Sequence, residues 1–195
     1  MPGPFETDRL RLRAFEPEDL PALHTYLNYP EMIGWRCLPW RFSNEQPLSK
    51  VQVEKLLQRW AEGDKEFHLA VTLRVDGTLI GHANCDWGWD AHCPDIDLAI
   101  SPAYQYQGYG SEVLVPLLDY LFGYTPAHCI GTGMPDWNHE GIKFARKHGF
   151  SPNGAMRWAV LRDGQVYDWL GMDLLRPEWL ARTGKGAARW LCRET

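Results

Sequence analysis

Near the start of the chain Leu10, Leu12 and Ala14 alternate with Arg9, Arg11 and Arg13, the two-residue period of a strand with one buried face. The period then changes. Over Glu16 to Tyr26, Pro17 comes early and Leu20, Leu23 and Leu27 share one side, which predicts a helix. Tyr29 to Pro47 carries prolines, Trp35, Trp40 and Phe42 without a clean period and reads as loop with short helical pieces. Ser49 is placed to cap the next helix, where Val53, Leu56, Leu57 and Trp60 keep the spacing of a buried stripe. Phe67 to Val75 and Thr78 to Cys85 flank Asp76-Gly77, a dipeptide suited to a tight hairpin turn. Asp95 to Ser101 is a further strand and Val113 to Phe122 a helix, with Pro116 expected to kink it unless it falls in the first turn. Cys129 to Met134 reads as a strand, His139 to Lys147 as a helix stopped by Gly149, and Arg157 to Met172 as a strand pair around Asp163-Gly164.

This order of elements describes a mixed-sheet α/β, or α+β, domain. At 195 residues one domain is expected, spanning 1–181, with the basic, Gly- and Ala-containing stretch 182–195 as an extension or tail. A hydrophobic content of 45 % with 23 % charged residues suggests neither disorder nor a membrane class, and no secretion signal is read at Met1 to Thr7, so a cytoplasmic setting is expected. The five cysteines, at 37, 85, 93, 129 and 192, contain no Cys-x-x-Cys pair and are read as packed or idle thiols in a reducing compartment. A net charge of -5 provides no broad basic footprint for nucleic acid and suits a cationic small molecule or basic protein terminus. His82, Cys85, His92 and Cys93 match no zinc spacing, so no metal is expected.

The most informative segment is Gln105-Tyr106-Gln107-Gly108-Tyr109-Gly110-Ser111, between a predicted strand and a predicted helix. Glycines here let consecutive backbone N–H groups converge at the positive end of the helix dipole, an arrangement that suits a phosphate. A plain flexible turn is the alternative reading. There is no Gly-Lys-Ser/Thr ending, and Val113 occupies the third glycine position of the dinucleotide fingerprint, so neither common nucleotide loop fits.

Gln105-x-x-Gly108-x-Gly110 resembles the pyrophosphate-binding motif of the GNAT superfamily of acyltransferases. Further segments match in order: Thr7 to Arg13, Leu79-Ile80-Gly81, Ile100 to Tyr104, Asn138, Lys147-x-Gly149-Phe150, and Asp163-Gly164 ahead of Leu174 to Trp179. The chain is most similar to the branch that includes enzymes acetylating ribosomal-protein N-termini. The resemblance implies a central, mixed, largely antiparallel sheet flanked by helices on both faces, a homodimer, and acetyl-CoA as cosubstrate. It further implies that Tyr106 to Ser111 hold the CoA pyrophosphate through their backbone, that pantetheine pairs with main-chain groups near Leu98 and Ile100, and that Asn138 touches the pantetheine arm. Asn138 serves equally well as a helix cap.

Asp95 and Asp97 alternate with Ile96 and Leu98, so both carboxylates face one side of their strand. By the resemblance Asp95 occupies a position where relatives often carry a glutamate and reads as a general base or ammonium anchor; Asp97 replaces a residue that is commonly small. A solvated strand edge is the plain alternative for both. Many relatives carry a tyrosine at the position of Ala145, proposed to protonate the departing thiolate, and this chain lacks it. Trp35, Trp40, Trp87 and Trp89 are candidate contacts for a cationic acceptor, or core cover. The expected activity is acetyl transfer to a primary amine on a small cationic molecule, an antibiotic or a protein N-terminus; the alternative is a non-catalytic acyl-CoA sensor.

Overall fold

A computed structural model describes residues 5–32, 46–63, 65–88 and 90–184. The chain divides into two compact units, Met1–Gly88 with Ile96–Thr125, and Trp89–Asp95 with Pro126–Thr195. Trp35, Trp40 and Trp89 lie outside the described residues.

The first unit holds strands β1 (Leu10–Ala14), β2 (Glu66–Leu73), β3 (Leu79–Asp86) and, apart from its first residue, β4 (Asp95–Ile100), with helices α1 (Leu20–Leu27), α2 (Lys50–Glu62) and α3 (Tyr109–Tyr124). The strands neighbour one another in chain order, with β1 antiparallel to β2 and β2 antiparallel to β3. The hairpin turn forms where Asp76-Gly77 predicts it: Gly77 adopts φ 76°, and the Asp76 carboxylate accepts from the Thr78 N–H at 2.9 Å. Ser49 caps α2 by accepting from the Gln52 N–H, while Gln52 Oε1 accepts from the Ser49 N–H at 2.8 Å. Leu23, Leu27, Val53 and Leu56 from the two helix stripes are fully buried and meet Ala99 of β4 in one cluster.

Two predicted helices differ in extent. The first opens with a single 3-10 turn, Pro17–Asp19, and becomes α-helical only at Leu20. There the Asp19 carboxylate folds back to the Glu16 N–H and the Arg13 guanidinium, and Pro21 lacks a donor for a longer ladder. The later one, α3, begins at Tyr109 rather than Val113, so Pro116 sits in its interior. Interior proline costs about 3 kcal/mol. Burial of Val113, Leu117, Leu121 and Phe122, each contributing about 1.5–3 kcal/mol, outweighs that cost.

The second unit contains β5 (Cys129–Pro135), β6 (Ser151–Arg162), β7 (Gln165–Leu175), α4 (His139–Lys147) and α5 (Arg176–Thr183). β7 pairs antiparallel with both β5 and β6, and Asp95 at the head of β4 pairs in parallel with Gly131. As expected, α4 stops at Gly149, which takes φ 97°. β6 starts earlier than its predicted onset at Arg157, because register slips between Pro152 and Gly154 and between Met156 and Val160 break the alternation that sequence reading depends on. α5 was not expected; Pro177 near its start and Glu178, whose carboxylate accepts from the Leu175 N–H at 3.0 Å, are its local start signals. The mixed α/β class stands. No helix among the described residues is long and apolar enough to cross a membrane.

Inside the first unit His68 of β2 is 6 % exposed and stacks on Trp60 of α2 with ring centroids 4.6 Å apart. Burial, aided by the Arg59 charge, pushes the imidazole down to about 3, although a Glu66 carboxylate oxygen lies 3.2 Å from Nε2. His68 is therefore neutral in the fold, whereas an unfolded histidine begins to bind a proton near pH 6.5. Its depressed value gives stability that is complete above pH 6.5 and declines as pH falls toward 3. In urea unfolding, His68→Phe is expected to make the loss between pH 7 and pH 5 smaller by about 1–2 kcal/mol. Parallel profiles for the two proteins would refute this.

Candidate active site

The turn from β4 into α3 is built within the first unit. After Ile100 the chain makes a 3-10 turn at Pro102–Tyr104, and Gln105 folds back so that its Nε2 donates to the Ile100 carbonyl at 2.8 Å. Gln107 Nε2 donates to the Ala103 carbonyl at 3.0 Å. Tyr106 takes φ 60° and Gly108 φ 87°, two left-handed conformations that swing the chain into α3. Gly108 is the N-cap, and its carbonyl receives the Glu112 N–H at 3.1 Å. The N–H groups of the first turn have no intrahelical carbonyl to reach, and α3 is 16 residues long, so its head is both rich in donors and positive.

A carboxylate in the first turn of a helix would compete with a phosphate for that positive end. Here Glu112 is engaged elsewhere: it accepts from the Thr7 hydroxyl at 2.5 Å, the Arg9 N–H at 3.0 Å and Arg9 Nε at 2.7 Å. Burial alone would raise the Glu112 carboxyl, but the bonds from Thr7 and Arg9 outweigh it and hold the group below its ordinary range. Arg9 also donates from Nη1 to the Gln107 carbonyl at 3.2 Å and lies over the Tyr109 ring, 4.2 Å from its centre. Thr7, Arg9 and Glu112 thus brace the turn. In the sequence Thr7 to Arg13 reads only as a strand and a family segment, because nothing local ties Arg9 to a glutamate 103 positions away.

β4 is also held from its other neighbours in the first unit. Gly81 of β3 faces the Ala99 carbonyl so closely that any Cβ would collide with it, and the Ser101 N–H donates to the Ile80 carbonyl at 2.8 Å. The Tyr26 hydroxyl donates to the Ala99 carbonyl at 3.2 Å and lies 3.1 Å from His82 Nδ1. With its single proton given to Ala99, the hydroxyl must accept from His82, which places that ring's proton on Nδ1.

On β4 itself Asp95 is exposed and Asp97 half-buried. Gly131 leaves room for the Asp95 carboxylate, which a Cβ at that position would strike. Trp87 is half-buried, packs on Phe67 with ring centres 5.5 Å apart, and donates its backbone N–H to the Lys65 carbonyl at 2.7 Å. In the second unit the Asn138 side chain accepts from the Gly141 N–H at 2.8 Å, which establishes its role as the α4 cap. Ala145 is buried, and its carbonyl accepts from His148 and Phe150; it carries no acid that could serve a thiolate. His139 is exposed at the start of α4. Among the described residues no three His, Cys, Asp or Glu side chains are grouped so as to hold a metal ion.

A family model described as an acetyltransferase (GNAT) domain matches residues 9–151. The chain belongs to the GNAT acetyltransferase family. Its curated relatives include the uncharacterized N-acetyltransferase YoaA of Bacillus subtilis, 26 % identical over 179 residues that cover 89 % of this chain and 97 % of the relative. Among solved structures, this GNAT acetyltransferase shares its fold with a GNAT-family acetyltransferase from Bacillus anthracis, at TM-score 0.76 and 20 % identity over 89 % of this chain and 99 % of the other. The spermidine N-acetyltransferase of Vibrio cholerae, in complex with CoA and spermine, gives TM-score 0.76 and 21 % identity with the same coverages. These similarities establish the family and do not extend to the ribosomal-protein branch. The matched span takes in the whole Gln105–Ser111 turn and the brace from Arg9 to Glu112.

The brace has a pH signature. Glu112's lowered value gives stability that is complete above the ordinary carboxylate range, near 4.3, and is lost as pH falls through the value in the fold. Glu112→Gln is expected to lower the melting temperature at pH 7 by a few degrees and to raise the KM for acetyl-CoA several-fold. The stability difference should shrink as pH falls below the ordinary carboxylate range. A constant difference across that range would show that Glu112 does not act through its charge.

Proposed function

We propose that this acetyltransferase transfers an acetyl group from acetyl-CoA to a primary amine by direct attack, with small cationic amines as the acceptor class and residues 1–181 as the transferase domain. The observation that carries the reading is the turn at the head of α3: Gly108 at φ 87° opening a 16-residue helix, with the nearby carboxylate already bound to arginine and threonine. In this reading the backbone of Tyr106, Gln107, Gly108, Tyr109, Gly110 and Ser111 receives the CoA pyrophosphate. Pantetheine pairs with the backbone near Leu98 and Ile100 and contacts Asn138. A homodimer in the cytosol belongs to the same reading.

The thioester supplies an activated acyl carbon and a leaving thiolate. The protein must make the amine nucleophilic, since an alkylamine with a pKa near 10.4 is mostly ammonium at neutral pH. Asp95 is the residue assigned to attract the ammonium and accept its proton, directly or through water; it is exposed at the head of β4, beside Gly131, where any Cβ would strike its carboxylate. Asp97, half-buried on the same strand, adds negative charge for a cationic acceptor. Support for this acceptor class comes from the spermidine N-acetyltransferase that shares the fold and was solved with CoA and spermine. With Ala145 in place of a proton donor, the thiolate leaves unassisted or takes its proton from water or His139; thiols with a pKa near 8.5 are tolerable leaving groups.

Ala145 also favours a second reading, an acyl-CoA sensor that binds without turnover. Thiol release from acetyl-CoA, followed with polyamines, aminoglycosides and N-terminal peptides, separates the two. Amine-dependent release is expected, strongest with polyamines, and Asp95→Asn is expected to lower kcat at least a hundredfold with CoA affinity unchanged within a factor of two. CoA binding without release by any amine would leave the sensor standing, and full turnover in Asp95→Asn would remove that residue from the chemistry.

A further inference from the structure

Two His-Cys dipeptides, His92-Cys93 and His128-Cys129, come side by side in the second unit. The His92 carbonyl accepts from the N–H groups of His128 at 2.9 Å and Cys129 at 3.3 Å, and the Pro94 carbonyl accepts from Gly131 at 2.9 Å. With Asp95 opposite Gly131 in parallel register, stepping back along both chains puts Cys93 level with Cys129. Neighbouring strands lie about 4.8 Å apart, inside the roughly 4.4–6.8 Å between Cα atoms that a disulfide accepts. The two thiols are both free, and Cys93 lies close enough to be among the causes that hold Cys129 protonated. By strand alternation the two imidazoles belong to the opposite face, where their ring centres are 5.9 Å apart, so they do not separate the sulfurs.

We propose that Cys93 and Cys129 are a redox pair that closes to a disulfide on meeting a small-molecule disulfide. Cys93 is half-buried and Cys129 buried, so Cys93 is the entry point. Its thiolate attacks one sulfur of the small disulfide, forming a mixed disulfide and releasing one thiolate. Cys129 then attacks the Cys93 sulfur, giving up its proton to that thiolate, and the second small thiolate leaves and takes up the proton lost from Cys93. In sum two protein thiols lose two electrons and two protons, and one small disulfide becomes two thiols. Burial, the neighbouring Cys93 and the charges of Asp173 and Asp95 push the Cys129 thiol up to about 12. The reduced pair therefore gains little as thiolate, which favours the bridge once made. The bridge would enclose residues 93–129, and with them all of β4, the glycine turn and α3, in one covalent loop. It does not depend on the assigned acceptor or on turnover.

The test uses the full chain, reduced and then exposed to oxidised glutathione, with peptide mapping by mass spectrometry and thermal unfolding. A cross-linked peptide pair containing Cys93 and Cys129 is expected, two hydrogens lighter than the sum of its reduced parts. The melting temperature should rise by roughly 5–10 °C and return on reduction. Cys129→Ser should instead hold glutathione on Cys93 and show no such rise, and a Cys37→Ser, Cys85→Ala, Cys192→Ser chain should still form the bridge. Stable glutathionylation of Cys93 in the unaltered protein, or bridging of either residue to a different cysteine, would overturn the proposal.

Discussion

A helix that begins at a sharp turn leaves its first backbone N–H groups without intrahelical carbonyls, and that constraint shapes the head of α3 in the first unit. Two departures into left-handed backbone, at Tyr106 and Gly108, turn the chain into that helix. The same positive end would stabilise any carboxylate close to it, and Glu112 is such a group. Thr7 and Arg9 occupy its oxygens, so the acid that helps the helix form is kept from acting as its own ligand. The turn into α3 thus depends on Thr7 and Arg9, just ahead of β1.

β4 transmits this order along its length. Tyr26 and Gly81 fix its Ala99 carbonyl, Gln105 fixes its Ile100 carbonyl, and at its head Asp95 pairs with Gly131. Two glycines matter here for one physical reason: at 81 and 131 a methyl group would occupy space already taken by a β4 carbonyl and by the Asp95 carboxylate. Within the first unit Gly81 lets β3 approach β4, and within the second Gly131 makes room for Asp95. The buried His82–Tyr26 pair serves the same end with hydrogen bonds, at the cost of bringing a second imidazole into an apolar core.

The departure from the family at Ala145 gains a structural meaning. That position is buried on α4, and its carbonyl closes the helix end by accepting from His148 and Phe150. The local sequence has gone to packing and to the Gly149 stop. The cysteine pair is a separate matter, since its geometry comes from strand register alone.

Periodicity and turn chemistry made β1, the α2 cap, the Asp76-Gly77 hairpin, the Gly149 stop and the glycine turn legible, because each is written in residues close together in the chain. The family too was legible, since it rests on segments in order. Tertiary structure alone decided the start of α3, where packing of its apolar face overrode Pro116, and the start of β6, where bulges hide the strand period. It alone joined Thr7 and Arg9 to Glu112 and Tyr26 to His82, and brought Cys93 level with Cys129. Local patterns record what a segment can do with its own neighbours; pairings between distant residues depend on strand register and burial, which exist only after the chain has folded.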